Sequence, residues 1–94
     1  MRKYELVLML KPEVDDDGMT AVMDRVRRVI GEHAGEILDE DDWGKRKLAY
    51  KIGANSEAKY YLAHLNMEGD GTAELENNLK LTENVIRHLL IRQD

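Results

Sequence analysis

The sequence predicts an α+β domain: one four-stranded antiparallel sheet with two helices on one of its faces. Three observations predict it. Four segments read as extended chain, the clearest by its period-two alternation. Two segments with helical spacing stand between the first and second strands and between the third and fourth. No repeat, linker or low-complexity stretch divides the 94 residues, a length that makes one domain, residues 1–94, with a two-layer core.

The first strand is 3–10, "KYELVLML". Tyr4, Leu6, Leu8 and Leu10 share the core face, and Glu5, Val7 and Met9 share the other. Pro12 ends the strand because it has no N–H to donate. Asp15, Asp16 or Asp17 caps the first helix, whose positive end suits acids. Met19, Val22, Met23, Val26 and Ile30 recur at helical spacing, His33 ends the helix, and Gly35 is its expected stop. Residues 36–52 form a second extended segment, bent or bulged near Gly44. "GANSE", 53–57, reads as a polar turn. Residues 59–67 return as a strand, with Tyr61, Ala63, Leu65 and Met67 alternating with Tyr60, Leu62, His64 and Asn66. Asp70 or Thr72 caps a short helix carrying Leu75 and Leu79. Asn84 closes a turn, and 85–92, "VIRHLLIR", is the last strand. Strand, helix, strand, strand, helix, strand folds most simply as a ferredoxin-like βαββαβ sandwich. Its sheet order would be fourth, first, third, second.

Composition narrows the function. There is no cysteine, so disulfides and thiolate metal sites are excluded. The longest apolar run, Leu6 to Leu10, is too short to span a bilayer, and the N-terminus is not a signal peptide. The expected location is the cytosol. Net charge is −5, unlike the usual basic nucleic-acid binder. Distribution matters more than the sum. Acids gather at Asp15–Asp17 and Asp39–Asp42. Bases gather at Arg2 and Lys3, at Arg25, Arg27 and Arg28, and at Lys45–Lys47.

The sheet face without helices should be polar if it meets water. It instead carries Val7 and Met9 on the first strand, Tyr60 and Leu62 on the third, and Leu89 and Ile91 on the fourth. In the expected strand order these six are contiguous, an apolar patch of the size that marks an interaction site. Sheets of this topology that stack RNA bases expose aromatics on the central strands. Val7 and Met9 cannot stack, so a protein partner fits this face better.

Catalytic chemistry finds no support. His64 and His88 fall on opposite faces by parity and make no metal site. The calcium-loop reading of "DEDDWG" puts Trp43 and Tyr50 where ligands belong. The loop after the first strand, "KPEVDDDG", would repel the phosphate that an acyl-phosphate hydrolase of this fold class must hold. The protein is expected not to be an enzyme and to need no cofactor.

At "DEDDWGKRKLAYKI" the charge changes sign across two residues. Bases on an edge strand block aggregation, but that does not explain why they are all positive in an acidic chain; phosphate contacts would. "WGKRKLAYKI", 43–52, resembles the signature of the bacterial small-subunit ribosomal protein number six (S-six) family. "MRKYELVLML" resembles that family's opening, and "ENVIRHLLIR", 83–92, its last strand. The resemblance runs from residue 1 to 92.

The resemblance implies a structural protein in the central platform of the small ribosomal subunit. It implies a heterodimer with a basic companion, small-subunit ribosomal protein eighteen, and contact with small-subunit ribosomal RNA cooperative with that companion. Carried over, the RNA contacts are Arg2, Lys45, Arg46, Lys47, Arg87 and Arg92. The companion contacts are Val7, Met9, Tyr60, Leu62, Leu89 and Ile91. Leu48 and Tyr50 are read as packing residues. Asp39 to Asp42 either meet the companion's bases or are solvated. Two departures stand out: Lys51 replaces a Pro common in the family, and the chain stops at Asp94, where many members continue into a tail that holds the partner. The rival reading is a small-molecule-binding regulatory domain of the same topology, dimerising through its sheet.

Overall fold

The computed structural model describes residues 1–93; Asp94 lies outside the described residues. The elements are β1 (Arg2–Leu10), α1 (Asp16–Glu32), β2 (Glu36–Ile52), β3 (Asn55–Met67), a 3-10 turn (Gly69–Gly71), α2 (Thr72–Lys80) and β4 (Val85–Arg92). The sheet order is β2-β3-β1-β4, antiparallel throughout. This is the expected ferredoxin-like arrangement, with both edges and the central pair as read from the sequence.

Alternation decides the two faces. On β1, Tyr4, Leu6, Leu8 and Leu10 are buried while Glu5, Val7 and Met9 are half-buried. Ala63, Leu65 and Met67 continue the buried face on β3, and α1 and α2 close over it with Val22, Met23, Val26, Val29, Ile30, Leu75 and Leu79. Val29 belongs to the α1 stripe although the five-residue spacing passes over it. Asp15 is the acid that caps α1: its Oδ1 accepts from Gly18 N at 2.8 Å, satisfying one of the free donors of the first turn.

Four local expectations need correction. Gly35 is not the left-handed residue that ends α1. Ala34 takes that position, at φ 60, with Ala34 N donating to Gly31 O and Gly35 N to Ile30 O, a Schellman pattern. Gly35 is needed for space: a Cβ there would lie 2.0 Å from Asn66 O and 2.7 Å from Met67 Cβ. Neither Asp70 nor Thr72 caps α2. Gly71 holds the cap position without a side-chain bond, and Thr72 Oγ1 donates back to Gly69 O at 3.1 Å. The polar turn shrinks to Gly53 and Ala54, since Asn55 already pairs with Ile52 and β3 runs from Asn55. Tyr50, read as a packing residue, is 68% exposed.

The reason for the last two is the length of the β2–β3 hairpin. β1 pairs with β3 only from Lys59 to Met67. Asn55–Glu57 and the matching end of β2 therefore project past the sheet as a two-stranded arm, with Ala58 buried at its root. Tyr50 on that arm has no second layer to pack against.

Candidate functional site

The face of the sheet away from the helices carries no element of the described chain. Its residues line up by register. Leu62, Val7 and Leu89 form one row across β3, β1 and β4; Tyr60, Met9 and Arg87 form the next; His64, Glu5 and Ile91 form the one beyond. All six apolar residues expected on this face are thus brought together. Leu89 and Ile91 are 46% and 44% exposed, and the other four are half-buried. Five of the six lie in two adjacent rows, where cross-strand neighbours touch.

Sequence reading missed a seventh member. Trp43 lies at the β2 bulge between Asp42 and Gly44. Its ring stacks on Tyr60 with centroids 6.4 Å apart and planes 16° from parallel, and its Nε1 donates to Asp41 Oδ2 at 2.9 Å. Gly44, at φ 71, makes the bulge, and its N–H donates to Asp42 Oδ1 at 2.8 Å. An aromatic immediately before a glycine in an edge segment is the signal that could have found it.

The acids of β2 are exposed but not merely solvated. Glu40 pairs with Arg27 of α1. Asp39 Oδ1 lies 2.7 Å from His64 Nδ1, and Glu5 Oε2 lies 3.2 Å from His64 Nε2. A ring with a carboxylate on each nitrogen donates from both when protonated. The hydrogen bond to Asp39 chiefly raises the His64 pKa above its usual value; burial opposes it, and the bond to Glu5 adds a smaller upward push. His33, the C-cap of α1, is held likewise by Glu74 and, at 3.5 Å, by Asp70, and the bond to Glu74 raises its pKa. Asp70 and Glu74, in the 3-10 turn and the first turn of α2, thus tie α2 to the end of α1. Tyr61, on the helix side beside Glu40, is pushed up to about 12, by burial first and by its bond to Glu40 second. His88 faces the helices, 3.7 Å from Glu76, so His64 and His88 do lie on opposite sides of the sheet.

The six bases expected to meet RNA are not brought together. Lys45, Arg46 and Lys47 sit opposite Lys59, Ala58 and Glu57 at the root of the projecting arm. All three are exposed. Arg87 stands beside Met9, on the rim of the apolar face. Arg2 and Arg92 lie at the other end of the sheet, level with Met67 and Tyr4. There they line an open cleft of about 620 Å³ with Tyr4, Glu68, Gly69 and Asp70.

A bare apolar sheet face lies between two groups of exposed bases, and the relatives of this chain are structural ribosomal proteins, not enzymes. The chain itself belongs to the ribosomal protein S6 family, whose model matches residues 3–92. Small ribosomal subunit protein bS6 of Desulforamulus reducens is 38% identical over 93 residues, covering 99% of this chain and 98% of that protein. Its counterpart in Clostridioides difficile is 41% identical over 91 residues, covering 97% and 98%. The crystal structure of 30S ribosomal protein S6 from Thermotoga maritima superposes with a TM-score of 0.87 at 30% identity, covering 98% of this chain and 87% of that one.

Proposed function

We propose that this protein, as a single domain over 1–94, is a structural component of the small ribosomal subunit in the cytoplasm. In this reading it binds small-subunit ribosomal RNA in the central platform, cooperatively with small-subunit ribosomal protein eighteen. The observation that carries the proposal is the uncovered apolar face. Val7, Met9, Tyr60, Leu62, Leu89 and Ile91 are aligned by strand register and partly open to solvent, as a companion-binding surface requires. The arrangement of charge supports the RNA half. A chain of net charge −5 binds RNA best through local bases and a basic companion that adds phosphate contacts. Lys45, Arg46, Lys47, Arg87, Arg2 and Arg92 supply the local bases.

The test is a titration of the ribosomal RNA junction with this protein, with the companion, and with both. Tight, salt-sensitive binding only with both present supports the reading. Equal binding with and without the companion would remove the cooperative heterodimer from it.

A further inference from the structure

One charged group lies inside the open face rather than at its margin. Glu5 sits on β1, a central strand, directly between Ile91 on β4 and His64 on β3, and one row from Leu62, Val7 and Leu89. Cross-strand neighbours stand about 5 Å apart, so a companion that covers Ile91 and Val7 also covers Glu5. The Glu5 side chain is only 28% exposed before any partner arrives, whereas Asp39, on the edge strand β2, keeps 66%. Docking therefore strips the remaining water from Glu5 and leaves Asp39 wet at the rim.

A carboxylate enclosed without a counter-charge is strongly unfavourable. Lys3 shares the face two residues before Glu5, but among the described residues it pairs with neither carboxylate. Arg87 is level with Met9, four residues along β1 from Glu5 and roughly 13 Å away at about 3.3 Å per residue. The other charges beside this corner are acids on β2: Glu36 opposite Asn66 and Asp41 opposite Leu62. That leaves His64, with Nε2 3.2 Å from Glu5 Oε2 and Nδ1 2.7 Å from Asp39 Oδ1. A neutral imidazole donates from one nitrogen only and turns a lone pair on the other carboxylate; the imidazolium donates to both. The carboxylates already favour that form, holding the His64 pKa above its usual value. With His64 protonated, the covered pair, Glu5 and His64, is neutral, and the remaining charge is on Asp39 at the rim.

We propose that His64 is the built-in counter-charge of the docking face: the companion covers Glu5 with a neutral, apolar group instead of a cation of its own, and pairing draws a proton onto His64. The proposal rests on the companion-binding reading above and adds the chemistry of the partner at this corner and a pH dependence of docking. The sign follows from the free chain. Below the folded pKa of His64 the proton is already present and pairing is at full strength. Above it the proton must be taken up on pairing, and affinity falls.

The test is isothermal titration of the companion into the parent chain, His64→Gln and Glu5→Gln, from about pH 5.5 to about pH 8.5, a range that brackets the histidine titration. The companion's own groups titrate alike in all three series, so differences between them isolate this corner. Relative to Glu5→Gln, the parent should lose affinity as pH rises, by up to about tenfold per pH unit, the limit for one proton taken up. His64→Gln should be as weak at low pH as the parent is at high pH, without that fall. Glu5→Gln, with no charge to offset, should bind more tightly than the parent at high pH. Parallel pH profiles for the parent and His64→Gln would overturn the proposal while leaving the companion in place. So would a parent affinity that rises with pH relative to Glu5→Gln, which would mean that the companion brings its own cation to Glu5. No binding by the parent at any pH, with both proteins folded by circular dichroism, would overturn the companion-binding reading and the proposal with it.

Discussion

Leu62→Asp probes the open face at its centre. Leu62 is paired directly with Val7, and Val7 in turn with Leu89. Leu62 is half-buried in the isolated chain, so enclosing the remainder against a companion is worth about 1 kcal/mol, half of what a fully buried leucine contributes. The substitution loses that and buries a carboxylate with no cation placed for it, a cost of several kcal/mol. Asp41 sits directly opposite on β2, so the new charge also meets a like charge. Together these weaken pairing by about 3 to 5 kcal/mol, roughly two to three and a half orders of magnitude in Kd. Leu62→Ala loses only the apolar part and should weaken pairing about tenfold or less. Isothermal titration against the companion measures both, and urea unfolding checks that each variant is folded. A folded Leu62→Asp protein that pairs within a few-fold of the parent refutes the placement of the interface on this face.

Ala34→Gly should stabilise the domain by about 0.5 to 1 kcal/mol, since it relieves a left-handed alanine, whereas Gly35→Ala should cost about 2 kcal/mol or more by overpacking against Asn66 and Met67; urea midpoints read both. The raised pKa of His64 makes its contribution to stability complete below about pH 6.5, the unfolded value, and lost as pH rises through the higher folded value. His64→Gln should therefore flatten part of the fall in stability above about pH 6.5, and His33→Gln another part, as measured by unfolding at a series of pH values. Arg46→Ala should leave the circular dichroism spectrum and melting temperature unchanged while reducing RNA affinity; an unchanged affinity would remove Arg46 from the contact set.

The fold was legible where burial is one-sided. β1 alternates because one face meets helices and the other does not, and that difference is written directly into Tyr4 through Leu10. The cap of α1 was legible to within three residues, Asp15, Asp16 or Asp17, because capping is a local bond between near neighbours in sequence, and only the structure picks Asp15. The start of β3 was not. Asn55, Ser56 and Glu57 belong to a projecting arm with no core to face, so a paired strand there has the composition of a turn. Ala34 was missed because glycine is the usual left-handed residue, and the glycine beside it is required by a contact with Asn66, distant in sequence. The open face was legible because the topology and parity of three strands place all six apolar side chains. Trp43 was hidden by the bulge, which resets parity. The division of the bases into two ends was not legible either: it depends on strand registers, and the linear order of the sequence carries no such distance.

The central claim is that the open face and the local bases act together, through a companion, on ribosomal RNA. The most direct test is the affinity for the small-subunit ribosomal RNA junction, with and without small-subunit ribosomal protein eighteen, at several salt concentrations. The account predicts tight binding only when both proteins are present, with log affinity falling against log salt at a slope of roughly −2 to −4 for about three to five phosphate contacts by this chain, added to the companion's own. An affinity for the RNA that is the same whether or not this protein accompanies its partner would contradict it.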